Sequence, residues 1–157
     1  MRILIPTILA VLAIVCVSPA ALASTSVPFD GSASGTFAAT SATTVALAGT
    51  GHYEHLGATI FTGTSTTTGG AACGGFTAME KDTYTAANGD KVFLTVVDSL
   101  CPTSTAGVFH VSGTFTVTGG TGRFADASGS GAISATATFQ SGSAGTFSGS
   151  TAGTISY

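Results

Sequence analysis

Residues 109–118 alternate strictly between two kinds of side chain. Phe109, Val111, Phe115 and Val117 hold one parity, and His110, Ser112, Thr114, Thr116 and Thr118 hold the other. A period of two places the two sets on opposite faces of an extended strand. The run Gly119-Gly120-Thr121-Gly122-Arg123-Phe124-Ala125-Asp126-Ala127-Ser128-Gly129 follows directly. Its closely spaced glycines permit positive φ, which other residues resist. Phe124 offers one large apolar side chain just past the turn, and Ala125, Ala127 and Gly129 keep the next stretch thin. A strand, a tight glycine turn and a returning strand result, a corner of a barrel or sandwich.

The rest of the chain extends this pattern. No apolar run keeps helical spacing over three turns, and threonine, which favours strands, supplies much of the polar surface. Strands are expected near residues 33–39, 43–53, 58–67, 76–85, 91–98, 108–118, 132–139 and 145–157. About eight strands at regular spacing suit a sandwich or a closed barrel. Ile133, Ala135, Ala137 and Phe139 share one parity, and Phe147, Ile155 and Tyr157 another. Small residues opposite large ones fit a narrow interior. The terminal Ile155-Ser156-Tyr157 lies in a strand, which removes an edge if that strand pairs with an early one.

Arg2, the apolar stretch 3–17 and Ala21-Leu22-Ala23 form the pattern of a secretory signal peptide. Residues 1–23 are therefore expected to be cleaved, leaving 24–157 as a single β-domain that is secreted, extracellular or periplasmic. No stable membrane insertion is expected after cleavage. The remaining cations are Lys81, Lys91 and Arg123, against 7 acidic residues. So few cations exclude a nucleic-acid footprint or a polybasic membrane patch. Cys73 and Cys101 remain, and an even count in an exported chain favours a disulfide. Closing a loop of about 29 residues would contribute roughly 3–4 kcal/mol in the chain-entropy model.

Asn88-Gly89 is the residue pair most suited to a two-residue type I′ hairpin turn. That loop length places Tyr84 opposite Phe93, Asp82 opposite Thr95 and Glu80 opposite Val97. Met79, Lys81, Thr83, Val92, Leu94, Val96 and Asp98 then share the other face. Which face points inward is open, as is the possibility that the hairpin projects beyond the barrel. Both cysteines fall at its open end.

Four segments together resemble bacterial proteins with an allene oxide cyclase barrel-like domain. They are Gly51-His52-x-x-His55-Leu56-Gly57, Thr85-Ala86-Ala87-Asn88-Gly89-Asp90, Gly113 to Phe124, and the terminal Gly153-Thr154-Ile155-Ser156-Tyr157. The glycine turn is also similar to that of plant dirigent proteins, which continue with basic residues where this chain has Asp126. The resemblance implies an eight-stranded antiparallel up-and-down barrel of calycin type with an apolar cavity. Proteins of that shape position reactive lipids or phenoxy radicals for cyclisation or coupling. The matching segments are turns and strand ends, so no active-site residue carries over.

Chemistry-bearing residues are few. Glu80, Asp82 and Tyr84 share a face, and paired carboxyls beside a phenol can transfer protons. Together with His55 they are the candidate acid–base groups. Tyr53, His55, Phe93 and Arg123 are candidate ligand contacts, Arg123 also being able to meet Asp126. His52 and His55 fall on opposite faces of an extended strand, which is poor for a metal, and no metal site or cofactor is expected. His110 falls on the Ser/Thr face and is expected to be solvated. No nucleophile elbow and no dinucleotide loop is present.

The composition suits a barrel binding an apolar or lipid-like small molecule, a cyclase or isomerase acting in the same cavity, or a surface protein. A cavity above roughly 300 Å³ holding an ionisable group would support the first two. A core filled by Phe, Ile and Val would support the third. The oligomeric state is open.

Overall fold

A computed structural model describes residues 25–157. The signal-peptide expectation for residues 1–23 lies outside the described residues. The strands are β1 (Ser26–Pro28), β2 (Gly31–Ala39), β3 (Thr44–Tyr53), β4 (Gly57–Gly70) and β5 (Phe76–Ala86). They continue with β6 (Lys91–Pro102), β7 (Val108–Gly120), β8 (Ser128–Ser141) and β9 (Ala144–Ser156). Every strand pairs antiparallel with its sequence neighbour from β2 to β9, and β9 also pairs with β2, so the sheet closes. β1 and β2 lie along the same edge of β9 and act as one strand interrupted at Phe29-Asp30. The result is a closed eight-stranded, up-and-down antiparallel barrel. Closure leaves no long unpaired edge, the role expected of the C-terminal strand.

The alternation along residues 109–118 holds in β7, where Val111, Phe115 and Val117 are buried and His110, Thr114 and Thr116 are exposed. Thr118 is an extra residue between the pairs Leu94–Val117 and Phe93–Gly119, and its hydroxyl donates to the Phe93 carbonyl at 3.3 Å. Such a bulge raises local twist, which curves the sheet toward closure. Beyond it the glycine run makes a single 3-10 turn, Gly122–Phe124. Gly122 has φ +59°, and a Cβ there would also collide with the Asp90 carboxylate. Only glycine satisfies both demands. The turn is pinned to the neighbouring hairpin by Thr121 N donating to the Lys91 carbonyl at 2.9 Å.

That hairpin differs from the sequence expectation in one decisive respect. Its loop is three residues, Ala87-Asn88-Gly89, not two. Gly89 N donates to the Ala86 carbonyl, and Ala86 N donates to the Asp90 carbonyl, both at 2.9 Å. Gly89 alone takes positive φ, at +89°, so Asn88 does not adopt the type I′ conformation. This is a turn closed by a glycine bulge. Asn88 is used instead as a clamp, accepting from Asp90 N at 3.1 Å and donating to the Asp90 carboxylate at 2.8 Å.

A one-residue change of register flips every side chain of a strand to the other face. Tyr84 therefore pairs with Val92, Asp82 with Leu94 and Glu80 with Val96. Val92, Leu94, Val96 and Asp98 point inward beside Glu80, Asp82 and Tyr84, whereas Phe93 and Val97 face out. The hairpin does not project beyond the barrel, since β5 is paired with β4 and β6 with β7 along their lengths.

Two apolar clusters fill the interior. The larger includes Phe29, Tyr53, Leu56, Tyr84, Phe115, Phe124 and Ile155, and it plugs the end where β1, the 3-10 turn and the β5–β6 tip meet. Phe29 and Phe124 are fully buried there, and Phe29 stacks on Tyr53 with ring centroids 5.4 Å apart. The smaller cluster centres on Phe37, Val111 and Ala137, with Phe109 and Phe139 packed against it. Beside it, at the opposite end, Cys73 and Cys101 form the expected disulfide, with Cα atoms 5.6 Å apart and a sequence separation of 28. Among the described residues no helix is long and apolar enough to cross a membrane.

Candidate functional site

Between the two clusters lies a cavity of about 110 Å³. Its lining draws on both, with Tyr53, Phe61, Tyr84 and Val96 from one and Phe37, Val111 and Ala137 from the other. The volume falls below the roughly 300 Å³ set above for a binding or catalytic barrel, and the apolar clusters fill much of the interior, as the surface-protein alternative expects. It is closer to the ~150 Å³ engineered cavity that admits one benzene.

One wall of the cavity is acidic. Glu80 and Asp82 are two residues apart on β5, and Asp98 comes from β6, where it pairs with Ala78. Glu80 thus stands between the aspartates, next to Asp82 along its own strand and diagonally across from Asp98. Ser65 on β4 is the cross-strand partner of Glu80. Asp82 and Asp98 retain only 4% and 3% of their exposure, and Asp82 Oδ1 and both Asp98 carboxyl oxygens have no hydrogen-bond partner among the described residues. Glycines make room for both aspartates. Gly63 on β4 faces Asp82 and Gly113 on β7 faces Asp98, and a Cβ at either position would collide with the aspartate or its backbone.

The electrostatics follow from burial and crowding. Desolvation, then the Glu80 and Asp98 charges, push the Asp82 carboxyl up from 3.8 to about 8. Desolvation and Glu80 push Asp98 up to about 7. Glu80 is also raised by burial, opposed by a hydrogen bond with Ser65. Burial carries the Tyr53 phenol to about 12 and raises Tyr84 well above its ordinary value. The two phenol rings meet edge-on at 4.8 Å, and Phe61 packs on Tyr84 at 5.0 Å. Asp82 and Asp98 therefore exchange protons near neutral pH, an arrangement suited to donating or accepting one. The facing wall, from β2, β8 and β9, is mainly apolar, with Ala33, Ile133, Ala135 and Phe147, and carries the hydroxyl residues Ser150 and Thr151.

Of the residues singled out from sequence, Glu80, Asp82, Tyr84 and Tyr53 meet in this cavity. Phe93 does not, because the three-residue loop turns it outward. His55 lies in the β3–β4 turn with φ +65°, exposed, at the plugged end. Its carbonyl accepts from the Arg123 guanidinium, and its ring lies 6.5 Å from that of Tyr157. Arg123 is likewise outside the cavity. Its guanidinium stacks 4.6 Å from the Phe124 ring and lies 3.9 Å from Asp90, which takes the place expected of Asp126. His110 is solvent-exposed, as its parity indicates. Among the described residues no three His, Cys, Asp or Glu side chains are grouped to hold a metal ion. Asp98 and Ser65 are members of the site that sequence reasoning did not select. Asp98 continues the inward parity of Val92, Leu94 and Val96, a signal that needed the correct loop length to be read. No family model, curated protein or solved structure matches the chain.

Proposed function

We propose that this barrel is a small-molecule-binding protein whose ligand occupies the interior cavity. The reading rests on Asp82 and Asp98, which line the cavity and of which Asp82 Oδ1 and both Asp98 carboxyl oxygens are buried without a hydrogen-bond partner among the described residues. Buried polar groups in folded proteins are almost always hydrogen-bonded, and leaving one unpaired costs about 1–3 kcal/mol or more. A ligand that hydrogen-bonds them would recover that cost. The apolar wall opposite would hold the rest of the molecule. At about 110 Å³ the space suits a ligand of a few heavy atoms better than a lipid chain.

The closed barrel and its turns support kinship with the allene oxide cyclase barrel-like proteins. The leader-like residues 1–23 and the disulfide support export to the exterior or the periplasm. The experiment for the binding reading is native mass spectrometry of the protein purified from its own host. A stoichiometric small-molecule adduct supports it, and no adduct under gentle conditions counts against it.

A second reading is favoured by the carboxyls that titrate near neutrality, since efficient acid–base groups do so. A cyclase or isomerase would use Asp82 or Glu80 to move a proton on a substrate packed against Tyr84. Loss of turnover in Glu80→Gln and Asp82→Asn, in variants that still fold, would distinguish catalysis from binding.

A further inference from the structure

The cavity has a polarity that specifies more than a generic ligand. Glu80, Asp82 and Asp98 lie on the β5–β6 side, and Ala33, Ile133 and Phe147 lie across from them. Among the described residues no lysine, arginine or histidine lines the space, and Lys81 faces outward from β5. The acidic wall therefore lacks a counter-charge from the described residues. Its unpartnered oxygens are acceptors, most strongly so when ionised. Tyr53, Phe61 and Tyr84 border the acids with aromatic rings, whose faces attract cations.

We propose that the cavity takes a small organic ammonium, its N–H groups donating to Asp82 and Asp98 and its short apolar body lying against Ile133 and Phe147. This rests on the binding reading above and narrows it to a chemical class. An ammonium supplies three donors on one compact charge, matching acceptors that come from two strands rather than from one chelating point. The titratable groups facing the ammonium are Glu80, Asp82, Asp98, Tyr53 and Tyr84. Burial and the neighbouring Glu80 charge raise the Asp82 and Asp98 carboxyls to about 8 and about 7 in the empty barrel. The arriving cation favours their ionised forms, so binding releases protons to solvent and strengthens as pH rises.

The test is a set of titrations of the disulfide-bonded protein, followed by amide NMR shifts. The probes are n-butylammonium, n-butanol and calcium ion, with Asp82→Asn and Asp98→Asn as near-isosteric variants. Butylammonium is expected to shift cavity residues and to bind about tenfold or more tightly at about pH 8.5 than at about pH 5.5. Each variant is expected to weaken it about tenfold or more while leaving any butanol binding unchanged. Butanol binding as tightly as butylammonium would overturn the ammonium proposal while leaving the binding-barrel reading in place. So would unchanged ammonium affinity in both variants, or calcium occupying the site while butylammonium does not. Failure of every probe to perturb the cavity would overturn both.

Discussion

Gly63 on β4 sits directly across from Asp82 on β5, in the space that a side chain at position 63 would take from the aspartate carboxyl. The pair couples backbone choice to the chemistry of the cavity. Gly63→Ala should displace the carboxyl and cost about 1–3 kcal/mol, the usual range for overpacking. In the Asp82→Ala background the same change should cost much less, since the clashing atoms are gone. A double-mutant cycle from urea melts reads this coupling directly. Additive effects would show that Gly63 and Asp82 do not share this space.

The raised carboxyls make stability depend on pH with a definite sign. The folded chain keeps a proton on Asp82 and Asp98 that the unfolded chain releases near 3.8, up to about 8 and about 7 respectively. The folded state thus binds more protons across this window, and stability must fall as pH rises through it. Each group contributes a slope of about 1.4 kcal/mol per pH unit where it is protonated only in the folded state. Thermal melts should show Tm decreasing from about pH 5 to about pH 8. Asp82→Asn and Asp98→Asn should flatten the decline and be more stable than the wild type at the alkaline end. A Tm that rises over this range would have the wrong sign for buried, unpaired acids.

The register of the β5–β6 hairpin is testable by substitution on β6. Leu94 is buried beside the cavity wall, and Phe93 faces outward. Leu94→Ala should cost about 2–5 kcal/mol, as core truncations do. Phe93→Ala should cost less despite removing a larger side chain. The reverse order in denaturant midpoints would favour the two-residue loop.

At the plugged end, Phe124 and Arg123 are neighbours with different roles. Phe124 is fully buried against Tyr157 at 4.7 Å, while the Arg123 side chain is 46% exposed. Phe124→Ala should destabilise by about 3–5 kcal/mol. Arg123→Ala should cost no more than about 1 kcal/mol, because its ion pair with Asp90 is long and solvated. Chemical denaturation of the two variants compares them.

The disulfide lies at the other end. Thiol labelling without reductant should find Cys73 and Cys101 blocked, and Cys73→Ala/Cys101→Ala should lose roughly 3–4 kcal/mol. Free thiols in the protein as purified would remove this staple.

The barrel was legible in the sequence because period-two alternation and turn residues are local signals, and the eight long strands fall where those signals place them. β1 was not, since Ser26–Pro28 is three residues long and exists only by pairing with β9. The site was legible in part. Glu80, Asp82 and Tyr84 share a parity whatever the fold, so their grouping survived. Asp98 and Phe93 depended on whether the loop around Asn88 holds two residues or three, a choice made by the conformation of one asparagine. Asn88 spends its side chain on Asp90, an interaction that dipeptide preference does not encode. His55 and Arg123 attracted notice as chemistry-bearing residues, but they close the plugged end through a backbone carbonyl and ring stacking.

Carbon-detected NMR of the Asp82 and Asp98 side-chain carboxyls, followed across pH, bears most directly on the buried acidic wall that the binding reading depends on. The expected result is titration at about 8 for Asp82 and about 7 for Asp98 in the ligand-free protein, with both moving down when an ammonium is added. Titration of both groups near the ordinary aspartate value of 3.8 would contradict it. Those carboxyls would then be solvated or paired, and the cavity would hold no unmet demand for a ligand.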